Sequence, residues 1–311
     1  MDWNELVGER GKKNEQGDIV CLNLMGSVIG NIPAEIYQLA TLTELHLQCN
    51  HLPILPAEIG QLSSLTILSL SHNELRTLPA DISQLTSLAR LSLWGNRFRT
   101  LPSNIGRLTA LTELDVAGNQ LPRLSQWVGQ LEGLTKLNLE RNKLQTLPSE
   151  ISQLSSLTWL RASNNQLKIL PRSIGQLRKL TYLDVRTNKL RTLPPEIGLL
   201  TALTELDVSH NDLWTLPMEI SHLHGLIKLR VYSGVLRTLP PITPGCHIID
   251  VGYYISKSAH ERWKKRARIG LSYAVCWTRK RRVGQRKGLA ALPRMVTRHL
   301  IELLFGGYTE Q

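Results

Sequence analysis

The sequence of 311 residues has few cysteines, few phenylalanines and no long apolar run. Its four cysteines are scattered without a Cys-x-x-Cys pair, and its first 18 residues are mostly polar and charged, which argues against a disulfide framework and a secretory signal. The longest apolar stretch near the end, Ile269 to Trp277, is far shorter than the roughly 20 residues that a membrane-spanning helix needs. We therefore expect reduced thiols, no transmembrane segment and a location in the cytoplasm, with the nucleus as a further location.

Motifs for common catalytic chemistry are also missing from the sequence. There is no GxxxxGK phosphate loop, no GxGxxG and no HExxH. The pairs His222-x-His224 and Cys246-His247 lack further ligands at metal-site spacing, so we interpret them as surface or packing residues. We predict a protein that is not an enzyme and uses no cofactor and no metal.

Leucine, in contrast, is abundant and recurs at fixed spacing. The segment LTELHLQCNHLPILPAEIGQLSS starts at Leu42, and similar segments follow every 23 residues without insertion or deletion. Their first residues are Leu65, Leu88, Leu111, Leu134, Leu157, Leu180, Leu203 and Leu226. A degenerate unit starts at Ile19, which gives ten units over about residues 19 to 245. One short unit used many times predicts a repeat architecture, because no single unit can bury its own leucines.

The pattern within a unit, LTxLxLxxNxLxxLPxxIxxLxx, predicts its local structure. The alternation of LxLxx predicts a short strand, and the Asn that follows it is suited to hydrogen-bond the turn backbone of its own and the neighbouring coil. In the second half, Leu78, Ile82 and Leu85 are spaced as on one face of a short helix, with Pro79 at its first position. Each coil is thus predicted to be a strand, a turn and a short returning helix.

This consensus resembles the 23-residue intracellular leucine-rich repeat of the Ras-suppressor type, of Ras-pathway scaffold proteins and of their plant relatives. The resemblance implies an α/β fold: a leucine-rich-repeat solenoid, or horseshoe, with a concave parallel β-sheet and short convex helices. It also implies a monomeric, non-enzymatic scaffold in signalling that binds a protein partner, such as a small GTPase, on its concave face. We divide the chain into a polar N-terminal segment (1–18), the repeats (19–245) and a basic, mainly helical C-terminal segment (246–311).

The candidate binding site consists of the non-consensus strand positions, the third, fifth and seventh of each unit, which face away from the core. Neighbouring strands lie about 4.8 Å apart, so we expect Trp159 beside Tyr182, and Arg161 beside Asp184 with Arg186 close by. Exposed Trp, Tyr and Arg together are typical of a binding hot spot, but cross-strand pairs that only stabilise the sheet are the alternative. The predicted partner-binding residues are Trp94, Trp159, Arg161, Tyr182, Asp184, Arg186, Asp207, Arg230 and Tyr232.

Three units depart from the consensus. The Asn position is Ser27 in the first unit and Gly234 in the last, as expected for terminal coils with one neighbour. In the unit from Leu111, Ser125 replaces the Pro and Trp127 stands on the convex side. We interpret this unit as a local irregularity and a candidate second contact point.

The last part of the chain carries most of the net charge. Residues 246–311 contain 14 Lys or Arg and 4 Asp or Glu, a net charge of +10 in a chain of +12. A capping box at Ser258 and Glu261 predicts a helix over about 259–282, and a second helix is predicted over 293–305. The basic residues singled out here are Lys264, Lys265, Arg266, Arg279, Lys280, Arg281 and Arg282.

Three interpretations of this segment stay open. The helices can simply cap the open end of the solenoid, with solvated basic faces. The basic clusters also resemble a bipartite nuclear import signal or a nucleic-acid contact, and the first helix resembles one that lies on anionic lipid. The alternative function is therefore binding of nucleic acid or an anionic membrane surface through residues 258–298.

Overall fold

A computed structural model describes most of the chain. The described residues are 3–232, 236, 240, 242, 246–249 and 275–276. All of them lie in one unit, Met1–Trp277, and none in the second, Thr278–Gln311. Within this described part, no helix is both long and apolar enough to cross a membrane.

The strands form one sheet whose order follows the chain, with 13 strands in the described residues. The first pair is antiparallel and the later pairs are parallel. A single helix, α1 (Trp3–Arg10), precedes the sheet. The strands are β1 (Gly11–Lys13), β2 (Ile19–Asn23), β3 (Glu44–His46), β4 (Ile67–Ser69), β5 (Arg90–Ser92), β6 (Glu113–Asp115), β7 (Lys136–Asn138), β8 (Trp159–Arg161), β9 (Tyr182–Asp184), β10 (Glu205–Asp207), β11 (Lys228–Arg230), β12 (His247–Ile249) and β13 (Val275–Cys276).

The 23-residue spacing of the sequence sets the register of the parallel strands, because residues 23 positions apart pair with each other. Leu160, for example, pairs with Leu137 on one side and with Leu183 on the other. These three leucines are fully buried, as are most consensus Leu and Ile positions of the coils between them. The core is therefore a set of parallel leucine columns, each closed by the next coil, which confirms the predicted repeat architecture.

The returning half of each coil differs from the prediction. It is a five-residue 3-10 helix rather than an α-helix, and Pro79 and its equivalents stand one residue before it rather than at its first position. The backbone N–H of Leu85 donates to the carbonyl of Ile82, an i to i+3 bond, because five residues hold little more than one turn. The 3-10 helices are Ala34–Gln38, Ala57–Gln61, Ala80–Gln84, Ser103–Arg107, Gln126–Gln130, Ser149–Gln153, Arg172–Gln176, Pro195–Leu199 and Met218–His222.

The chain leaves strands β3 to β10 through a left-handed residue followed by the consensus Asn. At the eighth position of the unit, φ is positive both for Gly118 (64°) and for β-branched Thr187 (54°). Asn73, one residue after such a position, donates from Nδ2 to the carbonyl of Leu47 (2.8 Å) in the preceding coil. Its Oδ1 accepts the backbone N–H of Leu52 (2.9 Å), so the predicted role of the Asn column in neighbouring coils is confirmed.

The two ends of the sheet are covered differently. At the first coil, β1 pairs antiparallel with β2, and Val7 of α1 joins the leucine core. At the other end, β12 and β13 continue the parallel sheet beyond residue 245. The predicted helix over 259–282 is therefore wrong at Val275–Cys276, where pairing with β12 holds the backbone extended; its other residues, and the helix predicted over 293–305, lie outside the described residues.

Candidate functional site

The outward side of strands β2 to β11, here called the concave face, carries the non-consensus positions of each unit. The predicted site residues on it differ in exposure. Trp94 and Tyr232 are exposed (40% and 44%), whereas Trp159 and Tyr182 are half-buried. The aromatic side chains of the face therefore differ in exposure, and the central pair, Trp159 and Tyr182, is partly covered by its neighbours.

The central feature of this face is the stack of Trp159 on Tyr182. The two residues are paired in register on β8 and β9, and their rings lie almost parallel, with centroids 5.4 Å apart and an interplanar angle of 8°. This confirms the predicted juxtaposition. Such a pair stabilises the sheet by about 0.5–1.5 kcal/mol beyond its burial, and both rings keep a part of their surface open to solvent.

Two arginines converge on one carboxylate beside this stack. Arg161 Nε lies 3.1 Å from Asp184 Oδ2, and Arg186 Nε lies 3.6 Å from the same oxygen. A second carboxylate, Glu140, lies 3.1 Å from Nη1 of Arg161. The side chains of Arg161 and Arg186 remain 27% and 39% exposed, so both reach solvent. The carboxylates of Asp184 and Glu140 balance their charge.

The two predicted acidic site residues do not lie on the surface. Asp184 is 0% exposed and Asp207 is 4% exposed, which corrects the prediction that both face a partner. Asp184 accepts the backbone N–H of Arg186 (3.1 Å), and Asp207 accepts the N–H and the hydroxyl of Ser209. Burial raises the pKa of Asp184 above its usual value, against the lowering effect of the Arg186 backbone bond. Asp184 thus holds one strand exit and the two arginines in place, and Asp207 holds the next strand exit.

The last coils of the face carry a charged cluster. Glu205 lies 2.7 Å from Lys228 Nζ and 3.4 Å from Arg230 Nη1. The hydrogen bond from Lys228 is the main reason that the pKa of Glu205 is lowered. Tyr232 packs at a tilt on His210, with ring centroids 4.8 Å apart, so the predicted site residues Arg230 and Tyr232 are both held by neighbours one coil away.

Trp94 forms a separate aromatic feature six coils before the last strand of this face, β11. Its ring lies edge-on to that of His72, with centroids 4.1 Å apart. Its other neighbour is Gly118, where an added Cβ would lie 3.0 Å from Trp94 Nε1. This glycine leaves room for the indole ring, which lies three coils away from Trp159.

The irregular fifth 3-10 helix, Gln126–Gln130, is not a second contact point through its tryptophan. Trp127 is only 7% exposed and belongs to the leucine core, which corrects that prediction. Its Nε1 has no hydrogen-bond partner among the described residues. The larger ring fills the space beneath this coil instead of offering a surface.

One cluster with metal-ligand chemistry was missed by the sequence prediction. Cys21, Glu44 and His46 offer Sγ, a carboxylate oxygen and an imidazole nitrogen, and all three atoms lie within 4.8 Å of one another. The repeat register carried the signal, since Glu44 is one unit of 23 residues after Cys21 and His46 is two residues further along the same strand face. The predicted basic residues from Lys264 to Arg282 lie outside the described residues.

The parallel sheet, the 3-10 return and the Asn column together define the class of the molecule, which is a leucine-rich-repeat solenoid. Family models described as leucine-rich repeat match residues 40–98, 109–167 and 202–223. No curated protein sequence matches the chain. This fold is typical of protein-interaction scaffolds.

Solved structures give the same fold. A leucine-rich-repeat protein of Leptospira interrogans is 29% identical, with a TM-score of 0.57; the match covers 81% of this chain and 77% of that one. The plant peptide hormone receptor RGFR1, in complex with RGF2, is 30% identical (TM-score 0.63, 71% of this chain and 37% of that one). The ectodomain of the Arabidopsis thaliana receptor kinase GASSHO1/SCHENGEN3, in complex with CASPARIAN STRIP INTEGRITY FACTOR 2, is 28% identical (TM-score 0.64, 72% and 31%). The chain thus spans about a third of each plant receptor.

Proposed function

We propose that the chain is a non-enzymatic scaffold of intracellular signalling that binds a protein partner on its concave face around Trp159 and Tyr182. The observation that carries the proposal is the stacked aromatic pair with Arg161 and Arg186 beside it. Trp, Tyr and Arg are the residues that dominate binding energy at protein interfaces. They occur together here on rigid strands, where little conformational freedom is lost on binding.

The hydrogen-bond donors of this patch favour a partner that brings an acidic group. Asp184 and Glu140 balance the charge of the two guanidinium groups, so what the patch offers a partner is unused N–H donors rather than net charge. The N–H groups of Arg161 and Arg186 that these two carboxylates do not occupy are left to bind an incoming carboxylate, which arginine does in a bidentate way. The flanking aromatic rings supply apolar contact area for the same partner.

The solved relatives support a peptide or protein as partner. RGFR1, a plant peptide hormone receptor, was solved in complex with RGF2, and GASSHO1/SCHENGEN3 in complex with CASPARIAN STRIP INTEGRITY FACTOR 2. The resemblance of the repeat to the Ras-suppressor type favours a small GTPase or another signalling protein. A cytosolic or nuclear location is part of the proposal, and the free thiols of Cys21, Cys49 and Cys246 support it.

A double variant tests the proposed site. Full-length chain would be immobilised, and proteins captured from an extract of the cells that express it would be measured by quantitative mass spectrometry. Trp159→Ala with Tyr182→Ala is expected to weaken capture of the specific partner by about 30-fold or more, the effect of losing about 2 kcal/mol at a hot spot.

The matched control is Trp214→Ala, which removes an exposed tryptophan outside the strands. It is expected to leave capture unchanged, and far-UV circular dichroism should show that both variants keep the fold. If the partner set is the same for wild type and for the double variant, the proposed site is wrong.

A second candidate function is binding of nucleic acid or anionic lipid by residues 246–311, favoured by their net charge of +10. The same capture, repeated at increasing salt, separates the two functions. Binding to phosphate groups falls steeply with salt because counterions are released, whereas the aromatic interface should change little. Replacing Arg279, Lys280, Arg281 and Arg282 by Gln should reduce the salt dependence only if this segment makes the contact.

A further inference from the structure

The first coils of the concave face bring three different metal-ligand groups together. Cys21 on β2 pairs in register with Glu44 on β3, and His46 follows Glu44 by two residues on the same side of the strand. Two side chains from one strand and one from its neighbour therefore converge on a single point above the sheet. Their Sγ, carboxylate oxygen and imidazole nitrogen lie within 4.8 Å of one another.

The spacing of these atoms is close to that of a tetrahedral metal centre. At zinc bond lengths of about 2.0–2.3 Å, neighbouring ligand atoms of a tetrahedral centre lie about 3.3–3.8 Å apart. His46 Nε2 and Glu44 Oε2 are already 3.4 Å apart. The Cys21 Sγ lies within 4.8 Å of both atoms, and its side chain adjusts by rotation about a single χ angle without a change of the strand.

The environment of the cluster suits a bound cation. Cys21 is buried (8% exposed), while the side chains of His46 and Glu44 are 24% and 40% exposed, so one side is shielded and the other is open. Burial and the Glu44 carboxylate raise the pKa of the Cys21 thiol. Lys12, which pairs with Cys21 across β1 and β2, is exposed, and its positive charge lowers the pKa of the thiol.

We propose that Cys21, Glu44 and His46 form a zinc site with its fourth position open to solvent. Thiolate, imidazole and carboxylate are the ligands that Zn²⁺ takes in proteins, and thiolate with imidazole excludes Mg²⁺ and Ca²⁺, which prefer oxygen. Binding replaces the thiol proton, which is released to water. The site lies six strands away from Trp159 along the sheet, so it stands independently of the proposed partner-binding function.

Cobalt(II) is the probe for this site, because a thiolate bound to it gives a charge-transfer absorption that oxygen and nitrogen ligands do not. Titration of the full-length, reduced and metal-free chain with Co²⁺ is expected to produce this absorption with one equivalent, and Zn²⁺ should abolish it by competition. Cys21→Ser should remove the absorption, and the matched control Cys49→Ser, an exposed thiol, should keep it.

A second variant guards against effects of folding. His46→Gln is expected to keep the far-UV circular dichroism of the wild type and to weaken Co²⁺ binding by at least about tenfold, the effect of losing even an outer-shell partner of a metal ligand. Absence of the charge-transfer band in the wild type, or its persistence in Cys21→Ser, would overturn the proposal.

Discussion

Single polar residues inside the coils determine where the backbone turns. The consensus Asn side chains are 0–9% exposed and each bonds carbonyls of its own and of the preceding coil. A buried carbonyl or N–H without a partner costs about 1–3 kcal/mol, so these amides cannot be replaced by apolar residues of similar size. The sequence predicted this column, because an identical residue at the end of every strand indicates a structural role.

Replacing one such Asn should lower the stability of the whole solenoid. Asn142 Nδ2 donates to the carbonyls of Val116 (3.0 Å) and Leu139 (3.2 Å), and its Oδ1 accepts the N–H of Leu121 (3.0 Å). Asn142→Ala is expected to reduce the free energy of unfolding by about 2–4 kcal/mol, measured by urea denaturation. The exposed Gln145 of the same coil is the control, and Gln145→Ala should change it by less than about 0.5 kcal/mol. Equal effects would refute the role given to the Asn column.

Other single residues could not be placed from the sequence. Asp184 and Asp207 occupy outward strand positions, and alternation alone predicts that they are exposed. They are buried because each folds back onto the strand exit, where it accepts backbone N–H groups two residues later. Local side-chain bonds of this kind depend on the conformation of the turn, which the repeat pattern does not specify.

At the scale of the element, the strands were predictable and the return path was not. Alternating leucines fix the short strands, but apolar spacings of three and four occur in 3-10 and in α-helical turns alike. The left-handed turn also has no clear signal, since Cys49, His72 and Arg141 adopt positive φ where glycine would be easier. Hydrogen bonds to the next coil hold these residues there, for example from Cys49 N–H to the carbonyl of Ser71 (3.0 Å).

The proline before each 3-10 helix gives a prediction at this scale. Ser125 stands in that position with φ −78° and ψ 158°, which proline can adopt, and its hydroxyl makes no cap bond within the described structure. Ser125→Pro is expected to raise the free energy of unfolding by about 0.4–1 kcal/mol, because proline restricts the unfolded chain. The measurement is again urea denaturation.

The reverse substitution in the next coil is the matched control. Pro148 has φ −68° and ψ 153°, so Pro148→Ser should lower the free energy of unfolding by a similar amount. Destabilisation by Ser125→Pro would show that this coil needs its serine for a reason other than backbone conformation.

At the scale of the whole molecule, the unbroken register creates the binding surface. Trp159 and Tyr182 are 23 residues apart in sequence and meet only because coils stack one strand per unit. The same register places Cys21 beside Glu44. The 23-residue spacing predicted the Trp159–Tyr182 pair, whereas the Cys21 cluster follows from the same register but was not predicted. It could not identify the partner, because the residues that define the repeat are the buried ones.

The most direct measurement of the central claim is site-specific photo-cross-linking to the captured partner. Lys136 is exposed and pairs in register with Trp159, whereas Gln153 is exposed on a 3-10 helix of the opposite side. A photoreactive residue in place of Lys136 is expected to give a covalent adduct that is lost when Trp159→Ala is added, and one in place of Gln153 should give none. Adducts from position 153 alone, or adducts from position 136 that survive Trp159→Ala, would contradict recognition on the concave face.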